Sequence, residues 1–146
     1  MPAERTWARE ADQLPAAPGA YALLLTVAEA IPLAPRFAHP LPPGRYCYLG
    51  SAKGAGGIRA RCGRHLAGPR KVHWHIDRLT GRASQMHTLA LPGACECDLV
   101  RRLLEHTGVA VPLARFGSSD CRRCPAHLLS VNEVGPRRLA RWLTES

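Results

Sequence analysis

Arg61 and His65 stand four residues apart, so on a helix their side chains share one face, one turn apart. The register Ile58, Arg61, Cys62, His65, Leu66 turns both of them inward, although both are polar. A buried arginine needs an anionic partner, and either a carboxylate or a phosphate would serve. Glu96 offers the carboxylate: extending the apolar stripe Leu99, Val100, Leu103, Leu104 back by three residues lands on it. A carboxylate on a buried stripe loses its hydration and must be protonated, paired or bound to a metal ion. Pairing with Arg61 is one account. The other is a hard oxygen ligand for a divalent ion such as magnesium, which keeps several of its own waters, and the register leaves both open. Tyr21, Tyr46 and Tyr48 add phenols. Tyrosines in strands are ordinarily core aromatics, but hydroxyls close to Arg61 and His65 each demand a partner, and an active site uses them.

A second group is Cys121, Cys124 and His127, at zinc-like spacing but short of a complete ligand set, which His73 or a distant cysteine would have to finish. The competing reading packs this loop beside the active site, where Ser119 and Asp120 contact substrate or hold Arg61. His73 and His75, two residues apart, point away from each other on a helix and do not share a metal. His73 and Trp74 suit the lining of a nucleic-acid groove, whereas His75 serves equally well as a hydrogen-bonded core histidine. Lys53, Arg59, Arg61, Arg64, Arg70, Lys71, Arg78 and Arg82 form a basic run diluted by Asp77. Its ordinary account is a solvated charged face; its functional account is a phosphate track.

Composition favours the second account. Twenty Lys plus Arg against eleven Asp plus Glu leave a formal charge of +9, which suits nucleic acid first and an anionic membrane second. The cations are almost all arginine, whose planar fork matches phosphate oxygens. The N-terminal "MPAERTWAREADQLPAAP" has no apolar run fit for a signal peptide, and no segment approaches membrane-spanning length. A cytoplasmic protein is expected, its six cysteines reduced or ligating metal rather than forming disulfides.

The elements that must position these residues follow from pattern. A length of 146 residues fits one domain with a real core: residues 1–17 as a loosely ordered lead-in with a helical turn around Trp7, and 18–146 as the fold. "YALLLTV" and "RYCYLG" read as strands, the second placing Tyr46 and Tyr48 on one face. The proline-rich stretch between them reads as an extended loop with an edge segment at Ile31 to Leu33. "GIRARCGRHLAG" is a short helix bounded by glycines, with Arg59 and Arg64 facing solvent. "KVHWHIDRLTG" repeats the helical pattern through Val72, His75, Ile76 and Leu79, and "SQMHTLAL" is a third strand. "ACECDLVRRLLEHTG" is the clearest helix, closed by a glycine suited to a left-handed cap. A short strand or extended segment spans His127 to Val131, and Pro136 opens a last amphipathic helix with Leu139, Trp142 and Leu143.

"GAY" (Gly19, Ala20, Tyr21) and "YLG" (Tyr48, Leu49, Gly50), followed by a glycine-bearing turn, Arg61, His65 and a helical Glu96, resemble the GIY-YIG nuclease superfamily. Within it, "YLGSA", "HWHID", "ECDL" and "FGSSDCRRCPAHL" are similar to the blocks of the Uri-type endonuclease group of small archaeal and bacterial proteins, from about Pro18 to Val131. The resemblance implies an α+β fold, a compact three-stranded antiparallel sheet flanked by helices, that hydrolyses DNA with one divalent ion, Mg2+ or Mn2+. Tyr21 and Tyr48 would line the site, one of them acting as or orienting the general base. Arg61 would steady the phosphoryl oxygens, His65 would hydrogen-bond nearby or assist proton transfer, and Glu96 would hold the metal. Ala20 and Leu49 depart from the usual isoleucines at packing positions. Arg59 is the alternative arginine, and Asn132 the candidate for the late asparagine of many relatives.

The leading expectation is a metal-dependent endonuclease acting on DNA, with RNA a second candidate substrate. Lys53, Arg59, Arg64, Arg70, Lys71, His73, Trp74 and Arg78 would contact the nucleic acid. The alternative is a non-catalytic nucleic-acid-binding module on the same scaffold.

Overall fold

The computed structural model describes residues 7–68, 75–117 and 123–145. Its centre is strand β1, Gly19–Val27, which pairs on one side with β2, Gly44–Ala52, and on the other with β3, Gln85–Pro92. β1 is buried on both faces, which is why its sequence is a nearly continuous apolar run rather than an alternation. A fourth strand, β4, Leu128–Ser130, pairs with the outer edge of β2, giving an all-antiparallel sheet in the order β3-β1-β2-β4. The expected three-stranded sheet is thereby corrected to four. β4 falls within the short strand or extended segment expected at His127 to Val131; what pattern does not supply for so short a run is its pairing with the β2 edge.

Helix α1, Gly57–Ala67, and the single turn α2, Asp77–Thr80, cover one face of the sheet. Helices α3, Glu96–Leu104, and α4, Pro136–Thr144, cover the other. Each face has its own apolar layer. Tyr21, Leu23, Leu25, Tyr46 and Tyr48 pack with Ile58, Cys62 and Leu79. Ala22, Leu24, Cys47 and Leu49 pack with Leu99, Val100, Leu103 and Leu139. Pro136 at the first position of α4 starts that helix as expected, and Leu139 and Leu143 are its buried residues. Half-buried Trp142 instead stacks on His106, with ring centroids 3.7 Å apart.

The proline-rich loop is extended, with Ile31 bridged to Leu41 and Ile31, Leu33 and Leu41 all in the core. The N-terminal lead-in is tied down from Trp7 onward. Trp7 Nε1 donates to the Pro136 carbonyl, Ala8 bridges to Thr88 beside β3, and Leu14 is buried after a 3-10 turn at Ala11–Gln13. Among the described residues no helix is long and apolar enough to cross a membrane.

Candidate active site

Strand register assembles the tyrosines. Tyr21 stands opposite Gly50, Leu23 opposite Tyr48, and Leu25 opposite Tyr46. Cross-strand partners share a face, so all three phenols enter the layer beneath α1. Tyr46 is committed elsewhere, its hydroxyl donating to the Pro42 carbonyl at 2.6 Å. Gly50 explains the last letter of "YLG". A Cβ placed there would lie 2.3 Å from the Tyr21 ring and 2.4 Å from its hydroxyl, so only glycine lets that ring cross β2. Gly50→Ala is therefore expected to push Tyr21 off its partners and to destabilise the fold by about 1–3 kcal/mol, the usual cost of overpacking, read by denaturant unfolding.

The Tyr21 hydroxyl lies 2.8 Å from His65 Nε2 and is also hydrogen-bonded to Arg61. Tyr48 meets the His65 ring edge-on, with centroids 6.4 Å apart. The helical spacing of Arg61 and His65 thus delivers both side chains to the tyrosine layer, Arg61 half-buried and His65 fully buried. Burial drives the Tyr21 phenol far above its ordinary range, with Tyr48 and Cys62 adding and Arg61 only partly opposing. Tyr48 is pushed up to about 12, again chiefly by burial, with Arg61 opposing and the negative charges of Asp77 and Glu96 adding. Burial lowers His65 to about 4; Asp77 opposes the shift, and Arg64 and Arg61 add to it. Near neutral pH both phenols are protonated and the imidazole is neutral. Arg61 can only donate to the Tyr21 oxygen; the Tyr21–His65 bond runs from the phenol to Nε2 when the imidazole proton sits on Nδ1, and from Nε2 to the phenol when it sits on Nε2.

A neutral buried histidine makes the fold acid-sensitive. The unfolded imidazole binds its proton near 6.5 and the folded one only near 4. In that window the unfolded state holds more protons, so stability falls as pH drops from 6.5 to 4, by about 3 kcal/mol in full. Denaturant melts across this range should show the decline, and His65→Gln should flatten it.

Asp77 has its carboxylate completely buried and gripped at both oxygens by Arg64, at 2.9 and 3.0 Å. This corrects the expectation that Arg64 simply faces solvent: its side chain is only 31% exposed. The partner lies thirteen residues away, in α2, where helical register within α1 cannot find it. Arg61 and Arg64 also line a hollow of about 120 Å³ with Ala52, Gly54 and Gly57, large enough for a phosphate group. Arg59 points elsewhere, its Nε donating to the Leu14 carbonyl at 2.7 Å.

Glu96 is the first residue of α3 and is half-buried; the buried residue of that turn is Cys97. Among the described residues no hydrogen bond or ion pair reaches its carboxylate, so the Arg61–Glu96 pair is not formed. Its charge is nonetheless felt by Tyr48 and by His127. One half-exposed carboxylate with no protein partner among these residues is donor chemistry that a hydrated hard cation such as magnesium fits.

The remaining candidates divide. Lys53 is exposed, and Arg78 is half-buried beside a second hollow with Pro32, Asp77 and Arg82. His75 accepts the Gly117 N–H at Nδ1, 2.9 Å, and packs against Phe37 and Phe116, the hydrogen-bonded histidine of the two readings. Asn132 accepts the Arg45 N–H at 2.7 Å, tying the chain after β4 to the start of β2. Arg70, Lys71, His73, Trp74, Ser119, Asp120 and Cys121 lie outside the described residues. Cys124 and His127 do come together, and the side chain beside them is Cys97 of α3: the three potential ligand atoms lie within 4.8 Å of one another. Cys97 was detectable only as an unspecified distant cysteine, because its 27 residues of separation from Cys124 are closed by the fold.

Neither a curated protein nor a solved structure matches the chain. The family model described as "Domain of unknown function DUF123" matches residues 20–143, a span that runs from β1 into α4 and includes every residue of the candidate site, and the chain belongs to that family.

Proposed function

We propose that this protein is a metal-dependent endonuclease of the GIY-YIG type, close to the Uri-type group, that hydrolyses DNA phosphodiester bonds. The observation that carries this reading is the convergence of Tyr21, His65, Arg61 and Tyr48 on one buried face, with the half-exposed Glu96 carboxylate close enough to act on Tyr48. A core built only for stability gains little from two buried phenols, an imidazole and a guanidinium, each of which loses hydration there.

The residues divide the work as follows. Arg61 and the +9 surface draw a phosphodiester to the hollow beside α1, where the guanidinium binds the phosphoryl oxygens more strongly as negative charge builds on them. Magnesium or manganese held by Glu96 would supply Lewis-acid charge for the developing phosphoryl charge. Tyr48, protonated, donates a hydrogen bond toward the substrate or its attacking water. With the imidazole proton on Nδ1, Tyr21 is the better-placed proton acceptor despite its raised pKa, because its own proton can then be handed to His65 Nε2. As the Tyr21 oxygen takes a proton from water it passes its own to His65, so no free phenolate is needed. Arg64 and Asp77 brace α1 against α2 and keep Arg61 and His65 in place.

The test is a panel of single-stranded, duplex, flap and branched DNA, and matched RNA, incubated with the protein in Mg2+, in Mn2+ and in chelator. Cleavage that requires the ion is expected. Binding without cleavage on any substrate would move the reading to a non-catalytic nucleic-acid-binding module. In either case affinity should fall with salt by about 0.9 log units per log of salt for each duplex phosphate contacted. A salt-independent affinity would remove nucleic acid as the partner.

A further inference from the structure

We propose that Cys97, Cys124 and His127 form a second metal site, distinct from the Glu96 carboxylate, that binds zinc through two thiolates and one imidazole. The donor set decides the ion: thiolate sulfur with imidazole nitrogen selects zinc over the hard cations that a lone carboxylate and water hold. This inference does not rest on the nuclease reading.

The geometry is close to what tetrahedral zinc needs. Zn–S near 2.3 Å and Zn–N near 2.0 Å put these ligand atoms about 3.5–3.8 Å apart in a tetrahedron. Here all three lie within 4.8 Å, and Cys97 Sγ is 4.0 Å from His127 Nε2. The remaining ångström is within reach of small side-chain rotations.

The backbone on one side of the site is already fixed. The Arg115 N–H donates to the Pro125 carbonyl at 2.6 Å, the His127 N–H donates to Phe116 at 2.8 Å, and the Arg115 guanidinium holds the Cys124 carbonyl at 3.3 Å. This lattice presents Cys124 and His127 together, and the His127 ring makes a further hydrogen bond to the Gly117 backbone, the outer-shell contact that orients a ligating imidazole. Cys97 comes from the first turn of α3. Exposed Arg123 bonds Asp98 of the same first turn, tying the segment that carries Cys124 to α3. A groove over Cys97 and Cys124, also lined by Val100, Leu104 and Pro125, leaves an approach for an exchangeable fourth ligand.

Zinc at this point would cross-link α3 to the segment that leads into β4. It would also fix the turn that carries Glu96, the residue next to Cys97 in the chain. Binding takes a proton from each thiol it deprotonates and involves no redox change, so zinc alone suffices.

The decisive experiment is elemental analysis of the full-length protein, purified without a polyhistidine tag or added zinc, followed by exchange with Co2+. One zinc per chain is expected, together with a thiolate-to-cobalt charge-transfer band and the intense visible absorption of a tetrahedral ion. Cys97→Ser, Cys124→Ser and His127→Asn should each lose the bound zinc. The cobalt spectrum of the unaltered protein is read separately, because a ligand variant that unfolds would lose metal for another reason. Zinc far below one per chain with no thiolate band on cobalt titration would overturn the proposal. So would a folded Cys97→Ser protein that keeps its zinc, or thiol titration showing Cys97 and Cys124 oxidised to a disulfide in the purified protein.

Discussion

Glu96→Ala is expected to lower metal-dependent DNA cleavage by about 10²-fold or more while leaving the fold and DNA binding intact. Fold is spared because the side chain is half-exposed and makes no hydrogen bond or ion pair among the described residues, so its removal opens no cavity and orphans no buried partner. Activity is not expected to be spared, because on the proposed reading this carboxylate holds the ion, and the charge a bound cation supplies is worth several kcal/mol in the transition state. Glu96→Gln should behave like the alanine variant, since an amide keeps the shape but not the charge. Cleavage rates at rising magnesium concentration separate a weakened site, which recovers at high ion, from a residue of no consequence, which loses nothing at any concentration.

Arg61→Ala carries the second large expected effect. The guanidinium bonds the Tyr21 hydroxyl and lines the phosphate-sized hollow, so the substitution removes both a charge on the developing oxyanion and a donor to the Tyr21 oxygen. Losing one preorganised donor of this kind typically costs about 10²–10³ in turnover. Arg61→Lys should recover only a small part, because an ammonium cannot span the phenol and a phosphate at once. The signature is a fall in the single-turnover rate at saturating protein with a much smaller change in binding. A matching loss of binding alone would make Arg61 an ordinary contact of the basic face. Arg59→Ala is the useful comparison: its guanidinium is turned to the Leu14 carbonyl, and cleavage should survive its removal.

Much of this arrangement was legible in the chain because it depends on short-range periodicity. Alternation in "RYCYLG" places Tyr46 and Tyr48 on one face, and the four-residue spacing of Arg61 and His65 places both under the sheet. Where register had to choose between neighbours it was less sharp. Extending the α3 stripe backwards selects Glu96, but at the first turn a rotation of one residue moves the buried position to Cys97 and leaves Glu96 at the rim. That difference matters chemically, since a rim carboxylate can keep a hydrated ion whereas a buried one must be protonated, paired or stripped of water to bind one.

What the sequence concealed were the contacts closed over distance. Gly50 reads as a turn residue until the β1–β2 register sets it against the Tyr21 ring. The Arg64–Asp77 pair, β4 on the edge of β2, and Cys97 beside Cys124 and His127 all depend on tertiary packing. The charge count pointed to phosphate but could not divide the arginines by role. In the fold, Arg64 is a brace, Arg59 is turned to the N-terminal segment, and Arg61 is left at the tyrosines.

The measurement that bears most directly on the central claim is single-turnover cleavage of one DNA duplex by the wild-type protein, Glu96→Ala and Arg61→Ala, at protein concentrations that saturate binding. Rates should be read with Mg2+ and with chelator. The account predicts ion-dependent cleavage by the wild type and a loss of at least about 10²-fold in each variant, with binding retained. Cleavage that survives both substitutions, or that proceeds equally well in chelator, would contradict it.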